Sequence, residues 1–162
     1  MPLLKRKLER VIKEEDVINL IEMQLAAPAL GKGGALEEKM LGIYQGSSIS
    51  PVLSNIYLDD FDHMMERESV FYVRYSDDIL LLGKSREQLQ TVLAKIKILL
   101  EPYGLNLKEV KTVICPLEQG IEFLGYAFDQ NGKTATQKAL QRLDQSLEDL
   151  WLMQSQLGLE NA

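Results

Sequence analysis

The stretch RYSDDILLLG, residues 74–83, places two adjacent aspartates between two apolar runs, and it constrains the fold more than any other segment. The flanking runs VFYVRYS and ILLLG have the apolar and aromatic content of paired strands, so Asp77 and Asp78 fall at the turn of a predicted β-hairpin. Two neighbouring carboxylates repel each other, and Asn-Gly would make such a turn without that repulsion. The pair is therefore either an ordinary turn or a site for Mg²⁺, which is commonly held by one or two carboxylates and substrate phosphates.

Helical and turn patterns precede this hairpin. Apolar residues at helical spacing predict helices over 3–13 and 16–26, with Asp16 as the cap of the second and Pro28 as its end. The glycine-rich residues 31–34 predict a turn between two short strands, the second over 38–43.

The remaining elements follow from capping and turn signals. Ser50 and Pro51 have the order expected of an N-cap and a first helical residue, and Ser85 with Gln88 fits a capping box. Gly104 suits the end of the helix that begins at Ser85. The pattern thus predicts helices over 50–66, 85–104 and 136–157, strands over 105–108, 111–116 and 122–128, and a turn at Asn131-Gly132. The order predicts an α+β fold, a split β-α-β unit with an antiparallel sheet and packed helices, whose first strand is absent.

Composition narrows the class of protein. A chain of 162 residues with 46% hydrophobic residues can bury one core. It has neither a bilayer-length apolar run nor a signal-peptide core, so we expect a cytoplasmic protein with no membrane partner. The single Cys115 cannot form an internal disulfide. The net charge of −6 disfavours strong, sequence-independent binding to phosphate backbones by this chain alone.

Four motifs in a fixed order resemble one family. The run GIYQGSSISPVLSNIYLDDFD, residues 42–62, followed by YSDD, resembles the palm of reverse transcriptases, specifically the bacterial branch that includes group II intron maturases. GLNLKEVKT, residues 104–112, resembles the family's next motif, and FLGYAF, residues 123–128, resembles its primer grip. In the first motif, the matching positions of the loop and helix beneath template and nucleotide are Gln45, Gly46, Ser50, Pro51, Asn55, Leu58 and Asp62.

The resemblance implies roles for these residues. Asp77 would be a ligand of two catalytic Mg²⁺ ions and Asp78 a supporting carboxylate, with Mn²⁺ as an alternative ion. Lys111 would lie near the departing pyrophosphate as a proton donor or positive clamp. The substrate-binding residues would be Gln45, Gly46, Ser50, Pro51, Asn55 and Tyr75, and the primer grip Phe123, Leu124, Gly125 and Tyr126. The complete enzyme would bind an RNA template, a DNA primer and deoxynucleoside triphosphates.

Several of these residues have a simpler interpretation. Gln45 and Gly46 would also suit an ordinary loop, and Lys111 would suit a solvated surface. Asn55 and Asp62 would suit the polar face of a helix.

The family pattern is incomplete in this chain. The family's other metal-binding aspartate precedes the two N-terminal helices, and the fingers, the first palm strand and most of the thumb are also unmatched. We therefore expect residues 1–135 to form a partial palm and residues 136–162 a helix that starts the thumb or packs on the palm. A site with two of three carboxylates binds and orients metal poorly, so this N-terminally truncated chain alone is expected to be inactive.

Three origins of such a chain stay open, and with them the question whether it is an enzyme by itself. It is a shortened or frame-broken copy of a polymerase, one half of a split polymerase with a complementary fingers chain, or a non-catalytic palm remnant that binds nucleic acid or protein. The first two predict an exposed sheet edge beside the hairpin, through which the chain would self-associate.

Overall fold

The computed structural model describes residues 2–30, 36–37 and 47–156. These residues belong to two compact units, the first ending at Leu107 and the second beginning at Lys108. The helices are α1 (Pro2–Val11), α2 (Glu15–Ala26), α3 (Ser50–Met65), α4 (Arg86–Leu100) and α5 (Gln137–Gln156). The strands are β1 (Ala29–Leu30), β2 (Leu36–Glu37), β3 (Phe71–Tyr75), β4 (Asp78–Leu82), β5 (Ile121–Phe123), β6 (Tyr126–Asp129) and β7 (Gly132–Ala135). None of the described helices has the length and apolar character needed to span a membrane.

Helix α3 takes part in both hydrophobic clusters of the first unit. Its N-terminal half contributes Leu53 to a cluster with α1 and α2, and its C-terminal half contributes Phe61 and Met65 to a cluster with α4. The helices predicted over 3–13 and 16–26 are present, each within two residues of its predicted bounds. The buried residues of the two clusters are Leu4, Leu8, Ile18, Ile21, Leu25 and Leu53, and Leu58, Phe61, Met65, Val92, Ile96 and Leu100.

The predicted hairpin around the paired aspartates forms. Strand β3 pairs antiparallel with β4, and Tyr75 lies opposite Asp78. Tyr72, Ile79 and Leu81 pack against the second cluster, which defines the inner face of the hairpin. The outer face consists of the residues that alternate with these, namely Phe71, Val73, Tyr75, Leu80 and Leu82.

Two predicted helix caps are wrong and one is confirmed. Helix α2 has Glu14 rather than Asp16 as its N-cap, and Asp16 lies in the first turn, where an acid still suits the helix dipole. Helix α3 begins at Ser50 with Ile49 as its N-cap, because a turn over 47–50 leads the chain into the helix. At α4, the backbone N–H of Gln88 donates to the Ser85 hydroxyl over 3.2 Å, as the capping box predicts.

The predicted strands after Gly104 are largely wrong. Residues 105–108 and 111–116 form no strand, and short 3-10 turns occupy Glu109–Lys111 and Leu117–Gln119. Val113, within the second of these ranges, is 74% exposed, so its apolar side chain is not covered by a partner strand, and strands without partners are not stable. The strand predicted over 122–128 is instead a hairpin of β5 and β6. The described strands consequently form small separate antiparallel sheets, β1-β2, β3-β4 and β5-β6-β7, rather than one continuous sheet.

The last helix is as predicted, and the predicted Asn131-Gly132 turn forms one residue earlier, at Gln130 and Asn131, because Gly132 is already the first residue of β7. β6 pairs with β7 across this turn, and the Asp129 carboxylate accepts the N–H groups of Asn131 and Gly132. Thr136 caps α5, because its hydroxyl accepts the N–H of Ala139 over 3.2 Å. A short antiparallel pair, β1 and β2, flanks residues 31–34, but the second strand was predicted over 38–43, which lies outside the described part of the chain.

A buried lysine joins α1 to α3. Lys7 is only 4% exposed, its Nζ lies 2.7 Å from a carboxylate oxygen of Asp60, and it stands over the ring of Tyr103. The Asp60→Asn substitution is expected to lower the free energy of unfolding by about 1–3 kcal/mol, because it leaves the Lys7 ammonium buried without an ionised partner. Urea denaturation of the full chain measures this difference.

The same pair predicts a pH dependence. The hydrogen bond from Lys7 lowers the pKa of Asp60, so its stabilising contribution is present above the ordinary carboxyl pKa and is lost as the pH falls through the lower folded-state pKa. The stability difference between wild type and Asp60→Asn should therefore narrow below about pH 4. Asp59→Asn, at the exposed neighbouring position, is the matched control, and an equal loss of stability in that variant would contradict the assignment to Lys7.

Candidate functional site

The turn of the β3-β4 hairpin consists of Ser76 and Asp77. Asp78 is already the first residue of β4, and both aspartates are exposed. Ser76 has a φ of 56°, and it is the only one of the two loop residues with a positive φ, the sign pattern of a type II′ turn. Glycine is the usual residue at this position, so a serine needs neighbouring contacts to keep it there.

A partly buried ion pair lies behind this turn. Asp62 of α3 accepts hydrogen bonds from Nε of Arg74 at 2.7 Å and from the Tyr72 hydroxyl at 2.5 Å, and its second oxygen pairs with Nη2 of Arg74. The Arg74 side chain is only 5% exposed. Strand β3 is thereby fixed to α3 by charged hydrogen bonds as well as by apolar packing.

The Arg74 guanidinium also reaches the turn itself. Its Nη1 donates to the Ser76 carbonyl oxygen over 2.8 Å, and its Nη2 lies 3.3 Å from Oδ1 of Asn55. One side chain therefore connects α3 to the residue that precedes Asp77.

Their surroundings raise the pKa values of the Tyr72 hydroxyl and the Arg74 guanidinium. Burial, and then the hydrogen bond to Asp62, raises the pKa of Tyr72, so its hydroxyl keeps its proton and acts as a donor. The Asp62 carboxylate raises the pKa of Arg74. The Tyr72 hydroxyl and the Arg74 guanidinium therefore both act as hydrogen-bond donors to Asp62.

The other predicted residues of the first unit lie along α3. Ser50 and Pro51 form its start, and Asn55 lies about one turn later. Together with Asp62 and Arg74, Asn55 lines an open groove of about 590 Å³. Gln45 and Gly46 lie outside the described residues.

The remaining predicted residues belong to the second unit. Phe123 and Tyr126 are the paired residues that flank the β5-β6 turn, whose two residues Leu124 and Gly125 both have positive φ. The carbonyl oxygen of Gly125 accepts the N–H of Thr136 over 2.9 Å, which fixes this turn to the start of α5. Lys111 ends the 3-10 turn Glu109–Lys111 and is exposed.

The donor atoms at the hairpin suit Mg²⁺ in kind. Asp77 and Asp78 offer exposed carboxylate oxygens, the hard ligands that Mg²⁺ prefers, while the adjacent cation Arg74 is paired with Asp62. Within residues 2–30, 36–37 and 47–156, no group of three or more His, Cys, Asp or Glu could hold a metal ion. A Mg²⁺ ion at the hairpin would therefore need ligands beyond these two carboxylates.

The structure adds Arg74 and Tyr72 to the residues around the turn. Arg74 was assigned no role from the sequence, although a charged residue in the apolar run VFYVRYS was a usable signal. Such a residue is buried only when it is paired, so its partner had to lie on a neighbouring element.

Comparison with known proteins gives one family. Residues 3–128 match the family model of the reverse transcriptase (RNA-dependent DNA polymerase). The chain is 24% identical over 173 residues to the COX1/OXI3 intron 2 protein of Saccharomyces cerevisiae, an alignment that covers 71% of this chain and 20% of that protein. It is 36% identical over 64 residues to the COX1/OXI3 intron 1 protein of the same yeast, covering 40% of this chain and 8% of that protein. The chain spans a fifth or less of the length of these relatives.

Proposed function

This chain belongs to the reverse transcriptase family, and on that premise we propose that its β3-β4 hairpin provides two carboxylates of a two-metal site for RNA-templated DNA synthesis. The observation that carries the proposal is the position of Asp77 and Asp78, exposed at the end of a hairpin within the matched residues. An apolar inner face and the Asp62–Arg74 pair fix that hairpin to α3, and catalysis by positioned metal ions depends on such rigidity.

In this proposal Asp77 binds both ions and Asp78 supports them. When bound, the metal ions activate the primer 3′-hydroxyl and stabilise the pyrophosphate leaving group. Tyr75 presents an exposed ring beside Asp78, where it would contact the primer end. Lys111 would neutralise the pyrophosphate as a positive clamp.

The other proposed contacts concern the nucleic acid. Gln45, Gly46, Ser50, Pro51 and Asn55 would lie beneath the template and the incoming nucleotide. The β5-β6 turn, from Phe123 to Tyr126, would hold the primer, and Gly125 favours this use because glycine has no Cβ, so that its backbone can approach a ligand closely.

The proposed palm comprises residues 1–135, and residues 136–162 would begin the thumb. We further propose an origin in the group II intron maturase-like branch, which is supported by the names of the two yeast relatives, both intron proteins. Catalysis would require metal ligands beyond Asp77 and Asp78 to complete the two-metal site. With a net charge of −6, these 162 residues alone are not expected to attract phosphate backbones strongly.

Self-association through the hairpin is a second part of the proposal. Phe71, Tyr75 and Leu82 of the outer face are exposed large apolar residues, and no further strand pairs with β3 or β4 among the described residues. Exposed apolar sheet surface favours association with another chain.

Primer extension tests the proposed chemistry. An RNA template with a DNA primer would be incubated with Mg²⁺ or Mn²⁺ and this chain alone, or with this chain plus a separately expressed polypeptide carrying fingers and the first palm strand of a reverse transcriptase. We expect extension only in the mixture. The absence of extension from folded, associated proteins would reject the proposal and favour the alternative, a non-catalytic palm remnant that binds nucleic acid or protein.

A further inference from the structure

We propose that Arg74 is a positioning residue that fixes the turn carrying Asp77 and Asp78, an inference that rests on the proposed function. The guanidinium contacts both carboxylate oxygens of Asp62 and donates to the Ser76 carbonyl oxygen over 2.8 Å. A single planar group thus spans the distance from the core helix α3 to the loop.

The backbone of the turn gives this contact its importance. Ser76 has a positive φ of 56°, a conformation that residues with a Cβ adopt with strain. A strained residue keeps its conformation when surrounding contacts determine it, and the bond from Arg74 acts on the carbonyl of that same residue. Release of this carbonyl would let the peptide between Ser76 and Asp77 rotate, and both carboxylates would change direction with it.

The anchor for Arg74 is Asp62, which lies on the core helix α3. Asp62 belongs to α3 next to Phe61, which is fully buried, and the Tyr72 hydroxyl donates to the same carboxylate. Asn55, about two turns earlier on α3, accepts from Nη2 of Arg74. The guanidinium therefore has little freedom, and the turn takes its position from α3.

A lysine could not replace this arginine. Guanidinium carries five N–H donors in a fixed plane, so it binds a carboxylate with two bonds and still donates elsewhere. An ammonium on a flexible stem would pair with Asp62 but would not hold the Ser76 carbonyl as well. Arg74→Lys therefore separates a positioning role from the general need for a buried positive charge.

The experiment uses the full chain, labelled with ¹⁵N and ¹³C, as wild type, Arg74→Lys, the milder Asn55→Ala, and Arg67→Lys. Arg67 is exposed just after α3 and provides the matched arginine-to-lysine control. The first readout is the φ of Ser76 from the three-bond amide coupling and backbone shifts, which needs no metal. The second is Mn²⁺-induced broadening of the Asp77 and Asp78 amides, and thermal unfolding monitors the fold.

We expect Arg74→Lys to remain folded, to lose the positive φ of Ser76, and to require about tenfold or more Mn²⁺ for equal broadening. Asn55→Ala should show a smaller change in the same direction, and Arg67→Lys none. Wild-type positions of the Ser76, Asp77 and Asp78 resonances in folded Arg74→Lys would overturn the inference. If Arg74→Lys fails to fold, the Asn55→Ala variant tests the positioning role of Arg74. An unchanged φ of Ser76 in Asn55→Ala would then overturn the inference.

The two proposals fail in different ways. If Mn²⁺ does not selectively broaden Asp77 and Asp78 in the wild-type chain, the metal site of the proposed function is rejected. The metal-free φ of Ser76 then still decides whether Arg74 fixes the turn.

Discussion

Replacing Asp77 with asparagine is expected to abolish templated primer extension by the complemented enzyme, with a rate loss of about 10³-fold or more. Asparagine keeps the size and one oxygen of aspartate but lacks the negative charge that holds divalent cations. Asp78→Asn should cost less, because Asp78 is proposed to support the ions and Asp77 to bind both. Time courses of extension with Mg²⁺, at saturating template and nucleotide, measure both losses.

The fold of the Asp77→Asn variant should be unaffected. Asp77 is exposed in the loop, and exposed substitutions usually change stability by less than about 0.5 kcal/mol. Asp59→Asn, at another exposed aspartate, controls for loss of one negative charge and should extend primers as wild type does. Undiminished extension by Asp77→Asn would show that the hairpin carboxylates are not metal ligands.

The largest expected loss of stability comes from Phe61→Ala, which should lower the free energy of unfolding by about 3–5 kcal/mol. Phe61 is 0% exposed, and its ring makes edge contacts with Tyr72 and Tyr103 at centroid distances of 6.2 and 6.5 Å. Truncation removes the buried ring and leaves a cavity among side chains from α3, α4 and β3. The midpoint of urea denaturation reports the loss, provided that the slope of the transition is unchanged.

A matched phenylalanine in the same unit provides the control. Phe71 lies on the outer face of the hairpin and is 59% exposed, so Phe71→Ala should cost about 0.2–1 kcal/mol, the scale of a cross-strand pair. Similar losses for Phe61→Ala and Phe71→Ala would contradict the assignment of Phe61 to the core.

Local sequence signals were sufficient to predict individual helix caps and hairpins. Three features depend on a few adjacent residues. The cap at Ser85 and the hairpin around Asp77 are present, and the β6-β7 turn forms one residue before the predicted Asn131-Gly132. The β5-β6 turn was missed because Leu124 and Gly125 interrupt an apolar run without a polar turn residue. The pattern over 105–116 suggested strands, but a strand also needs a neighbour, which a short segment does not specify.

The candidate site was predictable only in part. The paired aspartates stand out in the sequence because of their chemistry. The contact of Arg74 with Asp62 joins residues 12 positions apart on two different elements, and only the packing of β3 on α3 brings them together. The positive φ of Ser76 was hidden because serine carries no conformational signal comparable to glycine.

The position of α3 in both hydrophobic clusters has a consequence for how the first unit unfolds. Leu53 belongs to one cluster and Phe61 to the other, yet both lie on one continuous helix. Neither cluster can lose α3 without exposing the apolar surface of its neighbour to water, so the two should melt as a single cooperative unit. Amide protons of α1 and α4 should then exchange with similar opening free energies, although these helices contribute to different clusters.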